Sequence, residues 1–168
     1  MIKPIAALLG MTLFWVTPAH ADPGHQALID ALIQAGIQVS FDHRICKTDK
    51  VYGFYHNPSK SLVVCNEGSE ILDENDLDTL RHEAVHAIQD CANGAIGDGI
   101  MGRALHPGVS RQMLEQAGID IKQIERAYVS RGVKGDNLEF EYEAFGAAAT
   151  VPASTLAEVV GIMCSTNR

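Results

Sequence analysis

The segment TLRHEAVHAIQD, Thr79 to Asp90, carries two histidines four residues apart and a glutamate directly after the first. Imidazole nitrogens are zinc ligands, and a carboxylate beside them can take a proton from a water on the metal. That chemistry needs the three side chains together on one face. On a helix turning about 100° per residue, with Leu77 at zero, His82 and His86 fall at about 140° and 180°, one turn apart. Glu83 sits at the edge of the same face. Leu80, Ala84, Ala87, Ile88 and Cys91 form the opposite, apolar side, while Thr79, Gln89, Asp90 and Asn93 share the polar front. Residues 73–93 therefore read as an amphipathic helix. Asp73 or Asn75 can cap its start, and Gly94 can close its end.

A catalytic zinc usually takes three protein ligands and keeps one position open. His106, in LHPG, is a possible third ligand, but nothing in its context supports it. Glu115 and Glu125 lie on ordinary helical patterns and read as solvated. The stretch LEFEYEAFGAAA (138–149) offers more. With Leu138 at zero on the wheel, Glu141 falls at about 300°, between Ala144, Ala148 and Phe145. Glu139 and Glu143 fall at about 100° and 140°, away from the strongest apolar face. On geometry alone, Glu141 is either an inward carboxylate that needs a cation or a half-exposed acid at a helix edge.

His82-Glu83-x-x-His86 resembles the signature of the zincin superfamily of metallopeptidases. The resemblance implies zinc ligands at His82 and His86, a general base at Glu83, and a peptide or protein substrate. The metzincin branch would need glycine at 89 and histidine at 92, where this chain has Gln89 and Ala92. Glu141-Tyr142-Glu143-Ala144 resembles the E-x-x-A of gluzincin-type peptidases, which puts Glu141 in the ligand position. Phe145 follows, where several of those branches carry Asp or Asn. The implied fold is α+β: a zincin-like single domain over 22–168, mostly helical, with a small antiparallel sheet or hairpin before the histidine helix. In such folds an edge strand binds extended substrate, and residues 61–65 are the expected analogue. Tyr128, Tyr142 and His106 are the candidates for stabilising an oxyanion, and sequence does not choose among them.

The remaining elements must hold these residues in place. Residues 24–36 read as a helix ended by Gly36, and 37–41 (IQVSF) as a strand. VYGFY (51–55) and SLVVC (61–65), joined by NPSK, read as a β-hairpin. Helices are expected over 109–118, over 120–131 with Asp120 as cap, over 138–149, and over 153–163 after Pro152. The glycine-rich segment 94–108 is either one wall of a cleft, or a lid, or an ordinary loop. Its Gly97, Gly99 and Gly102 match G-x-G-x-x-G, but after a helix rather than a strand, so nucleotide binding is dismissed.

Residues 1–21 read as a cleaved secretory signal: Lys3, an apolar run from Ile5 to Val16, then Ala19-His20-Ala21. The expected location is secreted or periplasmic, with no membrane attachment after cleavage. The chain has 168 residues and a net charge of −8. Without residues 1–21 the net is −9, which disfavours nucleic acid and anionic membranes as partners. Four cysteines in an exported chain imply disulfides, and of three connectivities Cys46–Cys65 with Cys91–Cys164 is the favoured one. The competing readings are a non-catalytic binding or inhibitory protein on a zincin scaffold, and a metal-free, disulfide-stapled domain.

Overall fold

A computed structural model describes residues 21–49, 51–69 and 71–164. Apart from Ala21, the expected leader lies outside the described residues. Helix α1 (Pro23–Gln34) starts where the Asp22 carboxylate accepts the Gly24 and His25 N–H groups. Strand β1 (Gln38–Ser40), a short helix α2 (Arg44–Asp49) and strand β2 (Gly53–His56) follow. One 3-10 turn (Asn57–Ser59) leads through Lys60, at φ 51°, into strand β3 (Ser61–Val64). Then come α3 (Glu74–Cys91), α4 (Pro107–Gln116), α5 (Ile121–Val129), α6 (Asp136–Thr150) and α7 (Ala153–Met163). The described residues form one mostly helical α+β domain. The short α2 was not foreseen, because it buries none of its residues and so lacks an apolar period.

The sheet is mixed rather than antiparallel, in the order β1-β3-β2. β3 runs parallel to β1 and antiparallel to β2. This corrects the edge-strand expectation: residues 61–64 form the central strand. The physical reason is in Leu62, Val63 and Val64, three consecutive residues at most 2% exposed. A strand buried on both faces reads as a continuous apolar run and belongs in the middle of a sheet. β2, half-buried over its first three residues and exposed at His56, takes one edge.

Helix α3 lies against this sheet. Its start is fixed by a reciprocal box in which Asp73 accepts the Asp76 N–H and Asp76 accepts the Asp73 N–H. Its apolar back (Leu80, Ala84, Ala87, Ile88) joins Leu62 and Val64 with Leu28 and Leu32 of α1 and Leu156 and Val160 of α7 in the main core. A smaller cluster of Leu114, Ile124 and Tyr142 holds α4, α5 and α6 together.

Both favoured disulfides form. Cys91–Cys164 joins the end of α3 to the end of α7. Cys46–Cys65 joins α2 to the residue after β3, so it clamps the segment that flanks the hairpin rather than its two strands. No helix among the described residues is long and apolar enough to cross a membrane.

Candidate metal centre

Helices α3 and α6 face each other, and their contact brings three of the predicted residues together. His82 Nε2 and His86 Nε2 lie 3.2 Å apart. Glu141 Oε2 lies 3.4 Å from the first and 3.6 Å from the second. Zinc binds nitrogen and oxygen at about 2.0–2.1 Å, and the edge of a tetrahedron at that radius is about 3.3–3.4 Å. The three separations match that edge. Glu139 and Glu143 do not join the group.

The protonation pattern points the same way. Gln89 is fully buried, and its Nε2 donates to the Phe140 carbonyl at 3.0 Å. That orients its Oε1 toward His86 Nδ1, at 2.8 Å. Nδ1 then carries an N–H, so that when His86 gives up its second proton to bind a metal, Nε2 is the atom with the lone pair facing His82 and Glu141. Glu141 Oε2 is buried with no aligned hydrogen-bond partner, although it is close enough to both imidazoles to interact electrostatically. Lone pairs and a carboxylate converging on one point are stabilised by a cation there. His82, His86 and Glu141 thus form a group that could hold a metal ion.

Without a metal, burial alone would raise Glu141, but the two histidines outweigh it and hold the carboxyl at about 2. Burial alone would lower His86, but the Glu141 and Glu83 carboxylates raise it to about 9. Glu83, 7% exposed, is raised by burial, tempered by the same histidines.

His82 is held differently from His86. Its Nδ1 is buried without a hydrogen-bond partner. Its ring lies against Phe145, with centroids 4.4 Å apart and planes at 63°.

Of the three oxyanion candidates, only Tyr128 reaches the site. It lines the same cavity as His82 and Glu83 and stacks edge-on with Phe145 at 5.9 Å. Burial and the nearby Glu141 carboxylate push its phenol far above the ordinary range. Tyr142 instead donates to Glu125 at 2.9 Å, within the smaller core. His106 caps α4, its Nδ1 accepting the Gly108 N–H at 3.1 Å.

β2 passes beside Glu83, and Gly53 makes that approach possible. A Cβ there would lie 2.5 Å from Thr79 Cγ2 and 2.7 Å from the Val63 carbonyl. Any side chain would push β2 off α3.

The glycine-rich segment does not line this cavity. Asp90, fully buried, accepts Tyr55 Oη–H and Asn57 Nδ2–H at 2.6 Å each and the Gly97 N–H at 3.0 Å. Asn57 Oδ1 takes the Gly99 N–H at 2.6 Å. Glu143, 1% exposed, accepts the Ala104 and Leu105 N–H groups at 3.0 Å each. The segment is tied down along its length. Glu141 does face inward, onto α3, but the wheel reading of Glu143 as turned away from packed surroundings is corrected: it is the more deeply buried acid, covered by backbone from 104–105.

Sequence reasoning missed Gln89, Asp90 and Glu143 as structural partners of the site. Only Gln89 left a local signal, since it follows His86 by three residues on the same helix face.

In comparison with known proteins, the family model of a domain of unknown function, DUF8637, matches residues 13–145. That span includes His82, Glu83, His86 and Glu141. No curated protein and no solved structure matches the chain.

Proposed function

The chain belongs to the DUF8637 family, and we propose that it is a secreted or periplasmic zinc-dependent peptidase of zincin-like type. The observation that carries this reading is the 3.2–3.6 Å triangle of His82, His86 and Glu141, with Glu83 on the same helix beside it. His82 and His86 through Nε2, and Glu141 through Oε2, would hold the metal. A zinc ion bound there supplies a water acidic near neutrality and a Lewis acid for a peptide carbonyl.

This chain's own residues do the rest. Glu83 accepts the proton of the attacking water and returns it to the leaving amine. Burial supports that role by bringing a carboxyl closer to the working pH. Tyr128 keeps its proton and donates a hydrogen bond to the developing oxyanion. The outer edge of β2 pairs with an extended substrate, so that the main chain runs past Glu83. Two disulfides fit an oxidising compartment.

A binding protein on the same scaffold has no need of Glu83. The test is peptide cleavage by the zinc-loaded chain and by Glu83→Gln. Retained zinc with at least a hundredfold loss of turnover supports the peptidase. Equal turnover in the two would remove Glu83 as the base. Zinc retained by both, with no turnover in either across a broad peptide library, would favour the binding protein.

A further inference from the structure

A cavity of about 290 Å³ opens beside His82 and Glu83. Its apolar lining includes Val51 ahead of β2, Ile119 in the turn between α4 and α5, and Phe145, Ala148 and Ala149 on α6. We propose that this cavity receives a large aliphatic or aromatic side chain of the substrate residue next to the scissile bond. The inference rests on the peptidase reading and adds the substrate class.

Size and lining both support it. An apolar cavity of about 150 Å³ already admits a benzene ring. Twice that volume takes a leucine or phenylalanine side chain together with part of its backbone. Room is made by two alanines on the α6 wall. That wall is fixed relative to α3, because Arg81 Nε donates to the Ala148 carbonyl at 2.9 Å. Three charged residues also line the cavity: Asp78, Arg131 and Glu83, which stands at the reacting centre. Asp78 is already paired with Arg81. A basic substrate side chain would meet the Arg131 charge, and an acidic one would be desolvated against Val51, Ile119 and Phe145. An apolar one loses nothing and removes apolar wall from water. Phe145 then serves twice, as floor of the cavity and as the ring that orients His82.

The experiment uses the zinc-loaded chain and a series of N-acetyl amino-acid hydroxamates: phenylalanine, leucine, alanine, aspartate and lysine. The hydroxamate anchors on the metal, so calorimetry reads the side-chain preference without turnover. Phenylalanine and leucine compounds are expected to bind at least tenfold tighter than the alanine compound, the discrimination typical of an apolar pocket. The aspartate and lysine compounds should bind no better than alanine. Ala149 is exposed, so Ala149→Glu leaves the core intact and puts a carboxylate in the wall. It should erase the apolar preference and raise the affinity for the lysine compound, with zinc content unchanged. Equal affinity across the wild-type series, or a wild-type preference for a charged compound, overturns the proposal while leaving the peptidase standing. Failure to take up zinc, or zinc that binds no hydroxamate, overturns the peptidase reading itself and this inference with it.

Discussion

Gln89 offers the sharpest test of how the metal ligands are oriented. Its amide bridges His86 Nδ1 at 2.8 Å and the Phe140 carbonyl at 3.0 Å, fully buried. Two substitutions separate its two bonds. Gln89→Leu removes the acceptor for Nδ1–H and frees the ring to rotate or change tautomer. Loss of such a partner typically costs 10- to 100-fold in metal affinity, about 1.4–2.8 kcal/mol. Gln89→Glu keeps an oxygen toward His86 and removes the donor to Phe140. The new carboxylate then faces a carbonyl oxygen and lies near Glu143. That should leave zinc affinity within about threefold of wild type, while the fold loses about 1–3 kcal/mol for the mismatched buried group. The assay is zinc titration against a competing chelator at fixed pH, with thermal melts of the metal-free proteins alongside. If Gln89→Leu binds zinc as tightly as wild type, Nδ1–H does not set the tautomer, and the assignment of Nε2 as the ligand atom loses its basis.

Other outcomes follow from the same structure. Tyr128→Phe should keep zinc and lower kcat by about 10²–10³, the usual cost of one oxyanion donor; kinetics on a peptide substrate decide it. Asp22→Ala removes the cap of α1 and should cost about 1 kcal/mol, read as a fall of a few degrees in Tm. The hydrogen bond from His25 holds the Asp22 carboxyl below its usual range. Its stabilising contribution is therefore present above the unfolded-chain value near 3.9 and lost as pH falls through the lower native value. Acid titrations of wild type should show that limb, and Asp22→Ala should lack it. Replacing Cys91 and Cys164 together by alanine opens a link spanning 73 residues. The chain-entropy cost is about 4 kcal/mol, measurable by denaturant unfolding.

The helix that carries both histidines was legible because its signals agree: a cap at Asp73, acids in the first turn, and an apolar stripe at helical period. That disulfides form was legible from an even cysteine number and a leader-like start, which left three connectivities open; the favoured one is the one that forms. Glu141 was half legible, since the wheel put it beside alanines but could not say what faced them. The structure answers with α3. Asp90 and Glu143 were not legible, because what buries them is the glycine-rich segment 94–105 folding back over α3 and α6, a contact between residues distant in sequence. β3 was misplaced for a different reason. Leu62-Val63-Val64 announces a strand buried on both faces, and its neighbour β1, remote in sequence, pairs with it in parallel. The hairpin with β2 drew attention to only one of its two edges.

The central claim is a metal held by His82, His86 and Glu141. It is tested most directly by zinc per chain in purified residues 22–168, with X-ray absorption at the zinc edge. The account predicts about one zinc per chain bound by two imidazoles and a carboxylate at about 2.0–2.1 Å, unchanged in Glu83→Gln and lost in the double variant His86→Ala and Glu141→Ala. A chain that neither carries zinc nor takes it up on titration would contradict the account and leave the two histidines as side chains of a structural helix.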